Sequence, residues 1–221
     1  MSEKLRVILT GATGMVGEGV LIECLKNPLV ERVLLVNRKP CLFIHPKLKE
    51  IVHQDFFNLN EIEDDLSGYN TCLFCLGVSS VGMNEDEYTK ISYTLTMNFA
   101  RTVSRLNHNM SFSYISGVGT DSSEKGKLMW ARVKGKTEND LMKLPFKAVY
   151  AFRPGMLKPT VGQKNTLKYY KYLGWLYPIL KAIIPNSASS LQELGLAMIH
   201  ASAYGSEKKV LEVKDIIQLA K

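Results

Sequence analysis

The sequence has no unbroken apolar run of about 18 residues, the length a membrane-spanning helix needs, so no segment is expected to cross a bilayer. It has no secretory leader: Met1 to Lys4 is polar and Leu5 to Leu9 is too short for an apolar signal core, so no signal peptide is expected. It has no basic arm. Lys and Arg outnumber Asp and Glu by 28 to 21, for a net charge of +7, but they are scattered. That distribution argues against nucleic acid and fits a solvated surface that attracts anionic ligands. Cysteine is scarce, with Cys24, Cys41, Cys72 and Cys75. Cys72 and Cys75 form a lone CxxC within an apolar run, and no second pair or histidine cluster completes a zinc set. Inert buried thiols in a reducing cytoplasm are the expectation. His45, His53, His108 and His200 are dispersed without metal spacing and are expected to be structural or exposed. There is no internal repeat and no low-complexity segment.

What is present is an ordinary globular composition, 46% apolar and 22% charged over 221 residues, enough for one sizeable core. Strands and helices alternate. Leu5 to Thr10, Val33 to Val36, Ile51 to His53, Asn70 to Leu76, Ser111 to Ile115 and Lys147 to Phe152 read as buried strands. Between them, Gly14 to Asn27, Leu59 to Leu66, Glu85 to Asn107 and Glu124 to Leu144 read as helices, the third entered through an acidic turn that suits the helix dipole. This predicts a doubly wound parallel α/β sheet of Rossmann type, order 3-2-1-4-5-6, with ligand at the carboxyl ends of the strands. After Pro154 the pattern changes. Thr166 to Ile184 is aromatic and lysine-bearing, Ser189 to Ala203 is a helix capped by Ser189 or Ser190, and Val210 to Leu219 is a strand or a helix. These pieces are too small for a second domain. Residues 1–221 are expected to form one domain, with 156–205 a helical cap on the substrate side.

The sharpest feature is Thr10-Gly11-Ala12-Thr13-Gly14-Met15-Val16-Gly17, a GxxGxxG turn between a strand and a helix. Gly11 permits the tight turn, Gly14 lets the backbone approach a pyrophosphate, and Gly17 lets the helix pack on the sheet. The amides of Thr13, Met15 and Val16 then sit at a positive helix end that favours phosphate. The second strand ends in Asn37-Arg38-Lys39, where a site selective for NAD commonly carries an acid. Arg38 can instead pair with a 2′-phosphate, so NADP(H) is expected over NAD(H), the alternative being a solvent-facing charge. Asp55 could accept from an adenine amino group with Phe56 flanking the ring; a helix-cap role for Asp55 is the alternative. Leu76 and Gly77 end the fourth strand, where backbone can pass the adenosine ribose.

These residues resemble the atypical short-chain dehydrogenase/reductase (SDR) family, closest to its Tat-interacting oxidoreductase-like and epimerase/dehydratase-like branch. TGATGMVG, FCLG at Phe74 to Gly77, YISG at Tyr114 to Gly117, VKGKTE at Val133 to Glu138 and FRPGML at Phe152 to Leu157 carry the resemblance, which is strongest from residue 5 to 157. It implies a Tyr-x-x-x-Lys pair on one helix, with the tyrosine as proton donor and the lysine holding the nicotinamide ribose, and a serine ending the fifth strand. By the resemblance Lys134 is that lysine, Ser116 the serine, and Pro154-Gly155 the backbone beside the carboxamide. The tyrosine position is Trp130, whose indole offers only an N–H donor and cannot serve as that acid or base. Tyr88, Tyr93, Tyr169, Tyr170 and Tyr172 are available but read as packing residues. Ser79 and Ser80 follow the fourth strand and could touch substrate.

Two functions are therefore expected. One is a cytoplasmic NADP-dependent oxidoreductase acting on a small carbonyl or alcohol, with a homodimer as the family-level expectation. The other is a regulatory protein that senses the NADP(H) pool and signals to a protein partner. The stretch Leu167 to Ile184 is read as a cap or subunit contact, with an interfacial membrane helix as the alternative.

Overall fold

Strand β1 (Leu5–Thr10) is the axis of the sheet. Val7, Ile8 and Leu9 are wholly buried, because a strand covered on both faces carries a continuous apolar run instead of an alternating one. The computed structural model describes residues 3–166 and 188–221. In it β1 pairs in parallel with β2 (Val30–Asn37) on one side and β4 (Thr71–Phe74) on the other. β3 (Leu48–Val52) lies outside β2, and β5 (Ser111–Ile115) and β6 (Ala148–Arg153) follow β4. The expected order 3-2-1-4-5-6 is present, and a further parallel strand, β9 (Val210–Glu212), extends it beyond β6. The stretch from Val210 is thus both strand and helix, since α6 (Val213–Leu219) follows directly. β7 (Met156–Lys158) and β8 (Ala188–Ser190) form a separate parallel pair.

Two layers cover the sheet. On one face, α1 (Met15–Lys26) and α5 (Leu191–Tyr204) pack together, and Val20, Leu21 and Cys24 share a core with Leu191, Leu194 and Met198. Gly19 allows this approach, for a Cβ there would lie 2.8 Å from the Leu191 Cβ. On the other face, Phe99 and Val103 of α3 (Leu95–Leu106) and Leu141 of α4 (Met129–Leu141) meet Ile8, Phe74 and Phe112. Cys72 packs in this second core and Cys75 against the first, the opposite faces expected of strand residues three apart.

Several expected elements differ in detail. The helix expected over Glu85 to Asn107 is α2 (Glu85–Thr89), one wide π-turn (Lys90–Thr94) and α3, on one helical path. Asn84 and Glu87 form the capping box that starts it. The helix expected from Glu124 begins only at Met129. The Asp121 carboxylate accepts from the amides of Ser123 and Gly126, at 3.0 and 2.6 Å. This folds the segment into a turn that competes with helix, and Glu124 sits at φ +61°. Leu59 to Leu66 holds two short 3-10 turns, Asn60–Ile62 and Asp64–Leu66. The helix placed in the cap is α5, and it is a wall of the core against α1 rather than a cover over the carboxyl edge. Ser190, not Ser189, caps it, accepting from the Glu193 amide at 3.0 Å. The cap and membrane readings of Leu167 to Ile184, with Tyr169, Tyr170 and Tyr172, lie outside the described residues.

Candidate dinucleotide site

The glycine turn is built as its sequence requires. Gly11 has φ +76°, and a Cβ on it would lie 2.7 Å from the Cys75 carbonyl oxygen. A Cβ on Gly17 would lie 2.2 Å from the Gly11 carbonyl oxygen, so the helix can seat on the turn only without a side chain there. Gly14 caps α1 with extended backbone and donates to the Gly11 carbonyl at 3.0 Å. The amides of Met15, Val16 and Gly17 precede the Glu18-to-Gly14 bond of 3.0 Å and form the first turn, where helix geometry leaves donors without intrahelical partners. Asn37, at the end of β2, staples the turn. Its Oδ1 accepts from the Ala12 amide at 3.2 Å and its Nδ2 donates to Glu50 at 2.9 Å.

A cleft of about 160 Å³ opens beside this turn, lined by Gly11, Thr13, Gly14, Asn37, Arg38, Cys75, Leu76 and Gly77. Six of these were expected from the sequence; Asn37 and Cys75 were not. Arg38 is exposed, and its guanidinium has no ion-pair partner among the described residues. The Leu76 amide donates to the Thr10 hydroxyl at 3.3 Å, while a side chain on Gly77 would meet nothing within 4 Å.

Asp55 and Phe56 do not join the cleft. Asp55 accepts from the Phe57 amide at 2.9 Å, which closes a local turn and not a helix, so it is neither an adenine contact nor the helix cap that was the alternative. Phe56 is 1% exposed and stacks on Phe99 at 5.7 Å within the core. The outward-facing ring is Phe57, 41% exposed.

At the ends of β5 and β6 the groups implied by the resemblance come together but bond to one another. The Lys134 ammonium donates to the carbonyl of Ser116 and, at 3.5 Å, to that of Ile115. Burial lowers its pKa to about 8, opposed by the nearby Glu138 carboxylate. Ser116 is 6% exposed, and its hydroxyl points to Glu138 at 2.5 Å and to the Phe152 carbonyl at 3.1 Å. Trp130 sits one turn before Lys134, its ring 3.4 Å from where a Cβ on Gly119 would lie. The Pro154 carbonyl accepts from the Val118 amide at 3.0 Å, tying the Pro154-Gly155 turn to the loop after β5.

Glu138 and Arg153 were quoted within the VKGKTE and FRPGML motifs but given no role. Arg153 holds Glu138 with two bonds, 3.0 Å to Oε1 and 2.5 Å to Oε2, and reaches Ser122 at 2.6 Å and Glu212 at 3.2 Å. The two side chains are only 2% and 11% exposed. This pair joins α4, β6 and β9 beneath Ser116. Its sequence signal was an ionisable residue at the i+4 position from Lys134, on the same helix face.

The remaining candidates are structural. Tyr88 is buried in the core, and the Tyr93 hydroxyl donates to Asp140 at 2.8 Å. The Ser79 hydroxyl accepts from the Val81 amide at 3.3 Å. His53 bonds the Asp55 and Asn58 carbonyls, and His200 that of Leu219. Burial pushes the Cys24 thiol up to about 12 and those of Cys72 and Cys75 well above the usual range, so none is a ready nucleophile. Of the expected buried thiols, Cys24 and Cys72 are buried and Cys41 and Cys75 partly so. The described residues contain no His/Cys/Asp/Glu cluster able to hold a metal, and no described helix is long and apolar enough to span a membrane.

This sheet order and glycine turn define a Rossmann fold, shared with solved dehydrogenase and epimerase structures. A short-chain dehydrogenase from Burkholderia cenocepacia in complex with NADP matches with TM-score 0.67 and 14% identity, over 99% of this chain and 93% of that one. WbmF from Bordetella bronchiseptica in complex with NAD+ matches with TM-score 0.68 and 14% identity, over 99% and 77%. In sequence the chain is similar to proteins named HTATIP2 and FMP52. It is 26% identical over 153 residues to HTATIP2 of Rattus norvegicus, covering 68% of this chain and 62% of that protein. It is 24% identical over 231 residues to mitochondrial FMP52 of Candida albicans, covering 98% of each. No family model matches the sequence. The FMP52 relatives are mitochondrial by name, which overturns the expectation of a cytoplasmic protein.

Proposed function

We propose that this protein binds NADP(H) in the cleft at the head of α1 and serves as an oxidoreductase for a small carbonyl or alcohol. The observation that carries the cofactor reading is an exposed Arg38 lining the same cleft as Gly11, Thr13 and Gly14. The first turn of α1 would take the pyrophosphate and Arg38 the 2′-phosphate. Lys134 would hold the nicotinamide ribose, and Pro154-Gly155 would face the carboxamide. Bound NADPH would supply the hydride; the protein supplies position and charge. Titration of the full chain with NADPH and NADH, read by tryptophan fluorescence, tests this. Tight NADPH and weak NADH binding is expected; binding of neither by folded protein would overturn it.

A second reading is a cofactor-sensing regulator that acts through a protein partner. Two features favour it: the resemblance puts Trp130 where a proton-donating tyrosine would stand, and the Ser116 hydroxyl points inward to Glu138. Trp130→Tyr separates the two. Turnover of a carbonyl panel by wild type, lost in Lys134→Ala, supports the enzyme. Turnover only after Trp130→Tyr supports the sensor.

A further inference from the structure

A second cavity, of about 450 Å³, lies along the other half of α1 and shares no lining residue with the dinucleotide cleft. Its walls include Glu23 and Lys26 of α1, Thr160 after β7, and Gln192 at the start of α5. Gly14 and Glu23 are nine residues apart, about 14 Å along a helix at 1.5 Å per residue. The volume falls in the range of small-molecule sites.

Two of its groups are buried without partners among the described residues. Glu23 is 5% exposed, and its Oε1 meets no described hydrogen-bond partner; nor does the buried Thr160 Oγ1. The position of Glu23 is built, because α5 presses on its stem at Gly195. A Cβ there would lie 2.9 Å from both the Cβ and Cγ of Glu23. Burial raises the pKa of Glu23, with Lys26 opposing. An isolated carboxylate in such a place is costly unless a donor meets it. A carboxylate is acceptor-only, and a hydroxyl accepts as well as donates, so the missing partner is a donor of several protons. Lys26 stands exposed at the rim as a positive charge.

We propose that this cavity binds a small primary ammonium compound that also carries an acidic group. Its ammonium bonds Glu23 and Thr160, and its acid meets Lys26. The site is independent of the dinucleotide reading and stands or falls without it.

Isothermal titration of the full chain with γ-aminobutyrate and with ethanolamine phosphate tests the assignment. Butyrate and inorganic phosphate are the controls that lack the ammonium. Saturable binding of at least one ammonium compound and none of the controls is expected. Glu23→Gln should weaken it at least tenfold, and Thr160→Val and Lys26→Met each severalfold, with circular dichroism unchanged. Should Glu23→Gln fail to fold, the Thr160→Val and Lys26→Met losses decide. Absence of binding by folded wild type, binding of the controls with equal strength, or equal binding by the variants would overturn the proposal.

Discussion

The two ends of the candidate site are constructed in opposite ways. Around the glycine turn, Asn37 and the Leu76 amide brace the loop, while its charged group is left unengaged. Arg38 is exposed and unpaired among the described residues, Gly14 and Gly77 present bare backbone, and the first amides of α1 point outward. Around the ends of β5 and β6, the three ionisable or hydroxyl groups Lys134, Ser116 and Glu138 already have protein partners. Lys134 bonds the strand carbonyls, Ser116 bonds Glu138, and Glu138 is held by Arg153. If the cleft holds the cofactor as proposed, an open half beside a half closed upon itself fits cofactor binding with slow or absent turnover. On the proposed reading only Lys134 serves both halves, so changes at Arg38 and at Glu138 should have separable effects.

The most severe way to break the open half is Gly17→Val. The new side chain would start 2.2 Å from the Gly11 carbonyl oxygen, so α1 must leave the turn. Loss of about 3 kcal/mol or more by urea denaturation is expected, at the upper end of overpacking costs, with cofactor binding abolished. In the closed half, Glu138→Gln removes one member of a buried ion pair. Such breaks cost about 3 kcal/mol or more when the partner charge is left alone; Arg153 keeps Glu212 at 3.2 Å, so a loss of up to about 3 kcal/mol is expected in the same denaturation series. If Glu138→Gln also leaves NADPH affinity intact, the separation of the two halves is sharpened. Arg38→Ala should lose a charge-assisted contact of about 1.5–3 kcal/mol, roughly 10- to 100-fold in NADPH affinity, with NADH affinity nearly unchanged. Comparable losses for both cofactors would remove the 2′-phosphate role.

The smallest effect expected is a pH dependence. The Lys134 ammonium is charged below its pKa of about 8 and neutral above it. NADPH affinity should fall as pH rises through that value, and Lys134→Met should flatten the profile. Stability moves the other way. An unfolded lysine titrates near 10.5, so between about 8 and 10.5 the unfolded chain holds the extra proton, and stability should rise with pH across that window. Lys134→Met should remove this slope as well.

The binding half was largely legible in the sequence, because its rules are local. A strand, a glycine turn and a helix start lie within a few residues, and each glycine has a steric reason visible in the motif. The sheet order followed from alternation and burial. The closed half was not legible, because its chemistry depends on where side chains meet across elements. Nothing in YISG announces that the Ser116 hydroxyl faces Glu138 from another helix. Phe56 and Phe57 are neighbours of similar type, and which one turns inward is decided by the Phe99 ring of α3. The helix of residues 191–204 looked like a cap because sequence order gives no sign of a return to α1. The glycines that seat it, Gly19 and Gly195, lie in separate elements and have meaning only once the two helices face each other. β9 is three residues long, too short for any periodicity to show.

That return has a consequence for synthesis. The Glu18 carboxylate accepts from the amides of Lys164 and Asn165, at 2.7 and 2.6 Å, across some 146 residues, and the far side of α1 waits for a helix that begins at residue 191. On the ribosome, the glycine turn is made well before residue 191, so its helix stays uncovered while the intervening residues are synthesised. The nascent chain therefore carries an exposed apolar face over that interval, the period in which a holding chaperone or an early cofactor would matter most.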